Sequence, residues 1–490
     1  TAQKDAALAA VSAALRAARP QIEAANRADR AAAEEAGLSA ALRARLVLEG
    51  DKFDALLSGL DDVRCVADPV GQVTLARELD DGLDLYRVTC PIGVLCIIFE
   101  ARPEAAVQIA SLAIKSANAV ILKGGSEALR SNTALVAAFQ AGLRAAGLPQ
   151  DAVQLVSSRE DVATLLKLDQ FIDLVIPRGS NQLVRSVMDA TRIPVMGHAD
   201  GICAVYVDKA ANVETAVKVV VDAKTQYTAA CNTAETLLVH EDAVETLLPV
   251  IGAALAAAKV KLHADESSLP YLPAATTVPA QEADFVTEYL GLEMAVKVVP
   301  NVVAAIEHIN THGSHHTDCI VTEDGEATEQ FMAGVSSAGV FHNASTRFAD
   351  GYRFGFGAEV GVSTNRIHAR GPVGLEGLLT YKYRLHGHGQ CVGEYGSGSG
   401  KRAYTHRPIK LAGHGPRAPD LSRPQSNGGK SAGLVDGAIR RAKEDKGLQA
   451  ALGLAVAGLG LAWLALKCGG CSKSCSCSSY NVSSGQACQR

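Results

Sequence analysis

Residues 91–125 read PIGVLCIIFEARPEAAVQIASLAIKSANAVILKGG, and this stretch decides the fold class. The run Ile92–Phe99 is apolar over the length of a buried strand, and Pro103 suits the first turn of a following helix. A second apolar run, Ala119–Leu122, precedes a Lys-Gly-Gly turn. Strand, helix and strand in this order predict a parallel sheet that helices cover on both faces.

The alternation of strands and helices continues beyond this unit. Residues 1–60 have the composition and apolar spacing of helices, and residues 80–90 alternate as a hairpin or extended arm would. The first lobe has further predicted strands at residues 153–156, 172–176 and 202–207, and a second lobe from near Cys231 has them at 236–239, 295–299, 319–321 and 339–341. The sequence therefore predicts an α/β protein of two main lobes, with ligands beyond the carboxyl ends of parallel strands.

Composition and charge exclude several functional classes. The chain has 490 residues, too many for one ordinary domain, and its net charge of −5 gives no broad basic surface for nucleic acid. Seven cysteines lie singly between Cys65 and Cys391, which is typical of reduced intracellular thiols. No secretory signal opens the chain, and because residue 1 is Thr we expect a processed N-terminus that lacks a transit peptide or an upstream domain.

Residues 391–490 differ in composition from the rest. Residues 391–447 are rich in Gly, Ser, Pro, Lys and Arg, and we expect a flexible linker. Residues 448–466 are apolar and uncharged over a length that can cross a bilayer, so they predict either a membrane tether or a surplus tail. Five cysteines follow between Cys468 and Cys488, for which S-acylation, a zinc or iron site and inert thiols all remain open.

Cys231 stands alone between small and polar neighbours, in the stretch Thr228-Ala-Ala-Cys-Asn-Thr-Ala-Glu235. Small neighbours leave room for a substrate to reach the sulfur, and a thiolate is the strongest nucleophile among the common side chains. A buried cysteine that behaves as a small apolar residue would have the same local pattern. The window alone leaves both interpretations open, and the remaining motifs favour the nucleophile.

Two glycine-containing turns each connect a predicted strand to a helix. They are Lys123-Gly124-Gly125-Ser126 and Pro177-Arg178-Gly179-Ser180. Glycine lets the backbone approach a ligand and a helix N-terminus favours anions, so the two turns together predict dinucleotide binding. Two structural turns are the alternative, because the chain has neither a G-x-G-x-x-G fingerprint nor a P-loop.

Other polar residues follow the predicted strands. Arg102 could hold a carboxylate or phosphate in fork geometry, or pair with a surface acid. Asn343, Ser345 and Arg347 offer an amide, a hydroxyl and a guanidinium group, which suit an amino-acid-like substrate. Glu359 could bind ribose hydroxyls or cap a helix.

Four histidines, His308, His312, His315 and His316, raise the question of a metal site. The first two have the spacing of one helix face, but no cysteine or carboxylate completes a set with standard zinc spacing. We therefore expect ordinary or substrate-adjacent histidines and no metal ion.

Six separated motifs occur in the order in which a known family has them. They are Pro91–Val94 with Phe99–Pro103, Ala119–Gly125, Leu174–Ser180, Cys231–Leu238, Phe341–Phe348 and Gly357–Ser363. Over residues 1–390 the chain resembles gamma-glutamyl phosphate reductase, a branch of the aldehyde dehydrogenase superfamily, and 197–202 and 367–374 are most similar to the reductase half of plant-type pyrroline-carboxylate synthases. The resemblance implies a Rossmann-type NADP-binding domain over 1–226 with an arm near 80–90, an α/β catalytic domain over 227–366, and a return and oligomerisation segment over 367–390.

The same resemblance implies an activity and a site. It implies NADPH-dependent reduction of L-glutamyl 5-phosphate to L-glutamate 5-semialdehyde for L-proline synthesis, by a homo-oligomer in the cytoplasm or a plastid. Cys231 would form a thioacyl intermediate. The residues implied for the cofactor are Lys123, Gly124, Gly125, Ser126, Gly179, Ser180 and Glu359, and those for the substrate are Arg102, Asn343, Ser345 and Arg347.

One segment bears on whether a thioester would be hydrolysed. Hydrolytic aldehyde dehydrogenases usually have a glutamate before a Gly-Gly pair, and the corresponding stretch here is Gly197-His-Ala-Asp-Gly201, which lacks one. Its absence favours a reductase over an aldehyde-oxidising dehydrogenase, which is the first alternative. A membrane-tethered scaffold without catalysis is the second, and the intact Cys231 segment argues against it.

Overall fold

The computed structural model of the protein describes residues 1–198 and 200–410. Four of its helices lie within residues 1–65, as the composition of this region predicts. The α-helices are α1 (Ala2–Ala17), α2 (Arg19–Glu35), α3 (Ala40–Leu46), α4 (Asp51–Cys65), α5 (Glu104–Lys115), α6 (Leu129–Ala145), α7 (Arg159–Leu165), α8 (Asn181–Ala190), α9 (Val213–Thr225), α10 (Leu248–Ala257), α11 (Val302–His312) and α12 (Gly325–Gly334).

The strands form two parallel sheets, an antiparallel arm and a small hairpin. They are β1 (Val73–Asp80), β2 (Leu83–Pro91), β3 (Val94–Phe99), β4 (Ala119–Lys123), β5 (Val153–Leu155), β6 (Leu174–Arg178), β7 (Cys203–Val207), β8 (Ala234–His240), β9 (Lys261–Ala264), β10 (Thr277–Pro279), β11 (Glu293–Val299), β12 (Thr317–Val321), β13 (Gly339–His342), β14 (Gly361–Ser363), β15 (Gly371–Val373), β16 (Leu379–His386) and β17 (Arg407–Pro408).

The first parallel sheet has the order β5-β4-β3-β6 and contains the unit predicted from residues 91–125. Pro103 caps the N-terminus of α5, where its missing N–H leaves no hydrogen bond unmade. Apolar side chains of α1, α4, α5 and α6 pack on one face of the sheet, and those of α7 and α8 pack on the other. Burial on both faces explains why these strands are continuously apolar.

The second parallel sheet has seven strands in the order β10-β9-β11-β8-β7-β12-β13. Helices α9 and α10 cover one face, and α11 and α12 cover the other. The strand predicted at 202–207 forms as β7, but it pairs with β8 and β12 rather than with the first sheet. An apolar run indicates that a strand is buried on both faces, and it does not indicate which sheet the strand joins.

The arm is an antiparallel sheet in the order β16-β2-β1-β17. Asp81 and Gly82 form the two-residue turn between β1 and β2, and Gly82 takes the positive φ of 71° that such turns favour. Strand β16 pairs with β2 over its whole length, from Leu379 opposite Pro91 to His386 opposite Asp84. The arm near 80–90 thus pairs with part of the segment 367–390.

The expectation of a flexible linker does not hold for residues 391–410, which pack on the arm. The Tyr395 hydroxyl donates to Asp80 Oδ2 at 3.0 Å, and Arg407 Nε lies 2.9 Å from Glu78 Oε2. The rings of Tyr395 and Tyr404 stack with centroids 4.6 Å apart. These few tyrosines and arginines supply contacts that the Gly- and Ser-rich composition conceals.

The predicted remainder of the linker at 411–447 and the apolar and cysteine-rich segment at 448–490 lie outside the described residues. No helix among the residues that are described has the length and apolar character needed to cross a bilayer. The membrane tether through 448–466 therefore stays a prediction.

Candidate active site

Cys231 lies in the turn between α9 and β8, at the amino end of the seven-stranded sheet. Thr233 closes this turn, because its N–H donates to the Ala230 carbonyl at 3.0 Å and its hydroxyl donates to the Tyr227 carbonyl at 2.7 Å. Gly201 packs on the same turn so closely that a Cβ there would lie 2.2 Å from the Cys231 carbonyl oxygen. The segment before β7 and the turn before β8 thus meet backbone to backbone.

The Cys231 thiol differs from the other cysteines of the parallel sheets in its exposure. Cys231 is partly exposed, whereas Cys96, Cys203 and Cys319 are buried. Burial raises the pKa of Cys96 and of Cys319 to about 12, so both stay protonated at neutral pH. The thiol of Cys203 donates to the Cys231 carbonyl at 3.3 Å and supports the turn. Cys231 is the one of these four that a reactant can reach.

Two imidazole rings lie beside the thiol. A ring nitrogen of His198, a ring nitrogen of His316 and the Cys231 sulfur all lie within 4.8 Å of one another. The two rings meet edge to face, with centroids 5.0 Å apart. His198 Nδ1 lies 2.9 Å from the Val362 carbonyl, and His316 Nδ1 lies 3.0 Å from the Thr317 hydroxyl. His198 comes from the 197–201 segment, so that segment does face the candidate nucleophile.

Two guanidinium groups interact electrostatically with Cys231. Arg347 is 7% exposed, its Nε donates to Gln226 Oε1 at 3.0 Å, and its guanidinium carbon lies 5.9 Å from the centre of the Tyr227 ring. Burial lowers the pKa of both Arg347 and Arg178, and the charge of Cys231 acts in the opposite direction on each. Both groups stay cationic at neutral pH, so an anion bound near Cys231 would meet positive charge.

Residues 343–349 follow the carboxyl end of β13 and carry Arg347 to Gln226, which lies shortly before Cys231 in the chain. Asn343 follows β13, where its Oδ1 accepts from the Thr322 N–H at 3.1 Å and its Nδ2 donates to the Thr322 carbonyl at 3.0 Å. The Ser345 hydroxyl accepts from the Arg347 N–H at 3.3 Å and caps a short 3-10 helix. The structure therefore gives Asn343 and Ser345 supporting contacts, and it brings Arg347 to Cys231.

The two predicted cofactor turns lie at the same end of the first sheet, where its strands terminate. They follow β4 and β6, and both of these strands run parallel to β3 between them. Hydrogen bonds connect the three segments that follow these strands. The Ala101 N–H donates to Glu127 Oε1 at 2.6 Å, and the Ser180 N–H donates to Glu100 Oε2 at 3.2 Å. The sheet thus brings together two turns that are more than 50 residues apart in the chain.

Glycine lets carboxylates come close to both turns. A Cβ at Gly125 would lie 1.9 Å from Glu127 Oε1, and one at Gly179 would lie 2.5 Å from Glu100 Oε2. Carboxylates at such turns can accept hydrogen bonds from ribose hydroxyls. Lys123, at the start of the first turn, adds a positive charge. This set of donors and acceptors fits the polar part of a nicotinamide dinucleotide.

Gly124 and Ser126 have different surroundings from each other. Gly124 is buried, and a Cβ there would lie 2.0 Å from Asn132 Nδ2. The Asn132 amide is buried and makes no hydrogen bond within the described part of the chain. Ser126 is exposed at the first residue of a short 3-10 helix, where a ligand could contact it. Gly124 is therefore packed against Asn132, and Ser126 is accessible.

Arg178 connects the edge of the first sheet with Cys231. Glu359, Cys231 and Glu104 all interact favourably with its charge, and Arg102 interacts unfavourably. Burial raises the pKa of Glu104 and of Glu359, and the charge of Arg178 opposes this shift at both carboxyls. Arg178 therefore interacts electrostatically both with Cys231 and with carboxyls on either side of the first sheet's strand ends. Arg178 belongs to the Pro177–Ser180 turn. The sequence pattern indicated Gly179 and Ser180 as cofactor contacts, but it did not indicate a role for Arg178.

The four histidines considered as metal ligands divide into separate environments. His308 and His312 stack on α11 with ring centroids 4.4 Å apart, and burial lowers the pKa of His308 to about 4. His315 Nδ1 lies 2.9 Å from the Ser336 hydroxyl. His316 alone of the four lies beside Cys231, where its partner His198 comes from a different part of the sequence.

Comparison with known proteins identifies the family. Residues 71–293 match the aldehyde dehydrogenase family. A gamma-glutamyl phosphate reductase of a Cyanothece species is 54% identical over 403 residues, which cover 82% of this chain and 92% of the relative. The chain belongs to the gamma-glutamyl phosphate reductases. Another reductase of this family, from Synechococcus elongatus, is 55% identical over 388 residues, which cover 79% of this chain and 89% of that relative.

Solved structures give the same result for the fold. The crystal structure of gamma-glutamyl phosphate reductase from Thermotoga maritima has a TM-score of 0.77 and 40% identity, and the match covers 79% of this chain and 94% of that one. An acetylating aldehyde dehydrogenase from Geobacillus thermoglucosidasius, at 18% identity, has a TM-score of 0.55 over 80% of this chain and 92% of its own. The predicted aldehyde dehydrogenase-like fold is confirmed, and family membership indicates an oxidoreductase that uses a nicotinamide cofactor.

Proposed function

We propose that the protein reduces L-glutamyl 5-phosphate to L-glutamate 5-semialdehyde with NADPH and releases phosphate, as a step of L-proline biosynthesis. The observation that carries this proposal is the partly exposed Cys231 thiol, with which Arg178 and Arg347 interact electrostatically, in a chain 54% and 55% identical to gamma-glutamyl phosphate reductases. A thiolate between fixed cations suits the attack on an anionic acyl phosphate.

Cys231 carries the covalent chemistry. Its sulfur attacks the acyl carbon, a C–S bond forms, and the C–O bond to phosphate breaks with its electron pair leaving on phosphate. Bound NADPH would supply the hydride that reduces the carbonyl carbon of this thioester. The C–S bond then breaks, and Cys231 leaves as a thiolate while the carbon becomes the aldehyde. The Cys231 backbone N–H is the proposed donor to the developing oxyanion, a contribution of roughly 3 kcal/mol.

Arg347 is the proposed anchor of the substrate's α-carboxylate, with help from the Ser345 hydroxyl. Its Nε is held by Gln226, so its terminal N–H groups are oriented for a bidentate contact. Arg102 is exposed at the edge of the first sheet and is the candidate for the phosphate group. Asn343 is proposed to act indirectly, because its hydrogen bonds to the Thr322 backbone anchor the segment 343–349 that carries Arg347.

The cofactor is proposed to bind along the edge of the first sheet, in the NADP-binding region predicted for residues 1–226. The support is the meeting of two glycine turns and three strand ends there. The proposed contacts are Lys123, Gly124, Gly125, Ser126, Gly179, Ser180 and Glu359. Glu359 interacts with Arg178, so a cofactor held by Glu359 would lie next to the charge that also influences Cys231. The preference for NADPH over NADH follows from the family resemblance.

The segment 197–201 is proposed to protect the thioester from hydrolysis. It places His198, and no glutamate, beside the sulfur. The nearby Glu288 carboxylate accepts a hydrogen bond from the Gly201 N–H at 3.0 Å, and burial raises its pKa. The raised pKa would strengthen this carboxylate as a base, so the proposed protection of the thioester rests on the absence of a glutamate from the 197–201 segment.

The arm is proposed to join copies of the chain into a homo-oligomer, in the cytoplasm or in a plastid. Strand β16 ends the order of its sheet, so among the described strands one of its edges is unpaired. Tyr381, Tyr383 and Leu385 are 52%, 58% and 55% exposed along one face of this strand. An apolar face beside an open strand edge is a surface that a second copy can cover.

The proposed function is tested in the reverse direction. NADP reduction is measured with L-glutamate 5-semialdehyde, with and without inorganic phosphate, and again with NAD. We expect turnover to require phosphate and to favour NADP. Replacement Cys231→Ala should lower the rate at least about 10³-fold, since the nucleophile is lost, while titration still detects NADP binding.

The matched control is Cys65→Ala, which removes an exposed thiol on α4 and should keep the wild-type rate. Oxidation of the semialdehyde to free acid without phosphate would replace the proposal by an aldehyde-oxidising dehydrogenase. Full activity of Cys231→Ala would refute the thioacyl intermediate.

A further inference from the structure

We propose that Cys231, His198 and His316 form a binding site for Zn²⁺, through which this metal reversibly blocks the nucleophile. One thiolate and two imidazoles form a ligand set that zinc commonly uses, with the fourth position left for water. The three ligand atoms lie within 4.8 Å of one another. In a tetrahedral zinc site the ligand atoms are roughly 3.5 Å apart. Side-chain rotations that move these atoms by about 1 Å would therefore bring them to the spacing that zinc requires.

The hydrogen bonds of both rings leave a nitrogen for the metal. The Val362 carbonyl can only accept a hydrogen bond, so His198 Nδ1 carries the proton and Nε2 keeps its lone pair. His316 is 0% exposed, its Nδ1 faces Thr317, and its Nε2 has no hydrogen-bond partner among the described residues. A ring nitrogen held by a backbone or side-chain oxygen while the other is free is the arrangement found around metal-ligating histidines.

The unpartnered His316 Nε2 is an independent reason to expect a ligand. A buried polar atom without a partner costs free energy, and native structures rarely keep one without a compensating role. In the metal-free protein this nitrogen has no hydrogen-bond partner among the described residues. A bond to Zn²⁺ would satisfy it and would also remove the Cys231 proton.

The surrounding charges predict a reversible site. Arg178 and Arg347 influence the Cys231 sulfur and oppose a divalent cation. Glu288 interacts favourably with His198 and offsets part of this repulsion. Three protein ligands beside two guanidinium groups should bind zinc more weakly than a structural site with four ligands does. Chelators should therefore remove the metal from the folded protein.

Zinc bound at this site would coordinate the sulfur lone pair that otherwise attacks the acyl carbon. Inhibition therefore rests on the proposed function, whereas metal binding does not. The test accordingly measures the thiol directly. The full chain is treated with iodoacetamide, with and without Zn²⁺, and mass spectrometry of its peptides follows the alkylation of each cysteine separately.

We expect Zn²⁺ to slow alkylation of Cys231 at least tenfold and EDTA to restore the original rate. Cys65 and Cys391 are exposed and serve as controls within the same sample, because their alkylation should not change. The separate readout of each peptide also keeps the cysteines between Cys468 and Cys488 from affecting the result.

Two variants test the imidazole ligands. His198→Ala removes one ligand, and His316→Asn removes Nε2 while an amide can still face Thr317. Both should lose the protection of Cys231 by zinc. His312→Ala is the matched control, because it removes an imidazole of α11 that stacks on His308 rather than on the Cys231 group. Binding of NADP by each variant verifies that it is folded.

Zinc that fails to protect Cys231 in the wild type, or that protects it equally in His198→Ala and His316→Asn, would overturn the proposal. Protection together with inactivity towards glutamyl phosphate would leave the metal site standing and would refute the proposed function instead. Protection together with zinc inhibition that EDTA reverses supports both.

Discussion

Arg347 is held differently from the surface arginines of the chain. Gln226 binds its Nε at 3.0 Å, Tyr227 lies 5.9 Å from its guanidinium carbon, and the side chain is almost fully buried. These contacts orient the group before any substrate arrives, which reduces the entropy lost on binding. A lysine at this position could keep the charge, but it could not form the planar fork.

Replacement Arg347→Lys should therefore raise the KM for L-glutamate 5-semialdehyde roughly 10- to 100-fold, with a smaller effect on kcat. The estimate corresponds to the loss of about 1.5–3 kcal/mol from a charge-assisted hydrogen bond. Steady-state kinetics of the reverse reaction measure both parameters.

Arg353→Lys is the control for that measurement. Arg353 is exposed, and its Nη1 donates to the Arg347 carbonyl at 2.6 Å, so it lies close to the site without a proposed substrate contact. Its replacement should change KM much less. Equal effects of the two substitutions would remove the assignment of Arg347 to the α-carboxylate.

Two short connecting segments determine the geometry around Cys231. Gly201 ends the segment before β7, and Cys231 lies in the turn before β8. The register of these parallel neighbours places Cys203 opposite Ala234, so the two preceding segments meet at the sheet edge. Their backbones approach closely enough that only glycine fits at residue 201.

Gly201→Ala should lower kcat about 10²-fold. The new Cβ would lie 2.2 Å from the Cys231 carbonyl oxygen and 2.5 Å from its Cα, and backbone atoms cannot move away cheaply. A shift of roughly 1 Å at the nucleophile can reduce the rate by this factor. Kinetics and the rate of Cys231 alkylation both report the displacement.

Gly197→Ala is the matched control in the same segment. The nearest atom to its Cβ would be the Pro177 carbonyl oxygen at 3.5 Å, which is ordinary van der Waals contact. We expect nearly wild-type kinetics. A wild-type rate in Gly201→Ala as well would show that the close approach does not control the position of the sulfur.

On the scale of the whole molecule, the arm is the part whose proposed role depends on a second copy. It is built from residues remote in sequence, since β1 and β2 pair with β16 and β17. The exposed tyrosines of β16 contact each other with ring centroids 5.7 Å apart, and Arg87 lies 5.0 Å above the Tyr381 ring. These contacts make the tyrosine rings and Arg87 one continuous surface, which is the proposed interface.

Tyr383→Glu should therefore lower the molar mass of the assembly measured by light scattering, because it puts a charge into the proposed apolar contact. Lys382→Glu changes the opposite face of the same strand and should leave the mass unchanged. A wild-type protein that is monomeric at assay concentration would contradict the proposed oligomer.

The sequence predicted the strands of both sheets most successfully where they are long and apolar. Strands β3, β4, β8 and β12 form where the apolar runs predict them. Strands β9 and β10 were missed, because they have four and three residues and include Lys261 and Thr277. Short edge strands of mixed composition carry little periodic signal.

Local sequence by itself determined the class of fold and a partial list of strands, because these depend on periodicity. The residues beside Cys231 made it a candidate nucleophile, and the other motifs of the chain decided in its favour. The tertiary structure decided which sheet β7 joins, that His198 and His316 lie beside the sulfur, and that Arg178 and Arg347 interact with it electrostatically. These groups come from separate elements, and only the packing of the two sheets brings them within reach of one another. No local pattern encodes such a meeting, since its free energy arises from contacts between residues far apart in the chain.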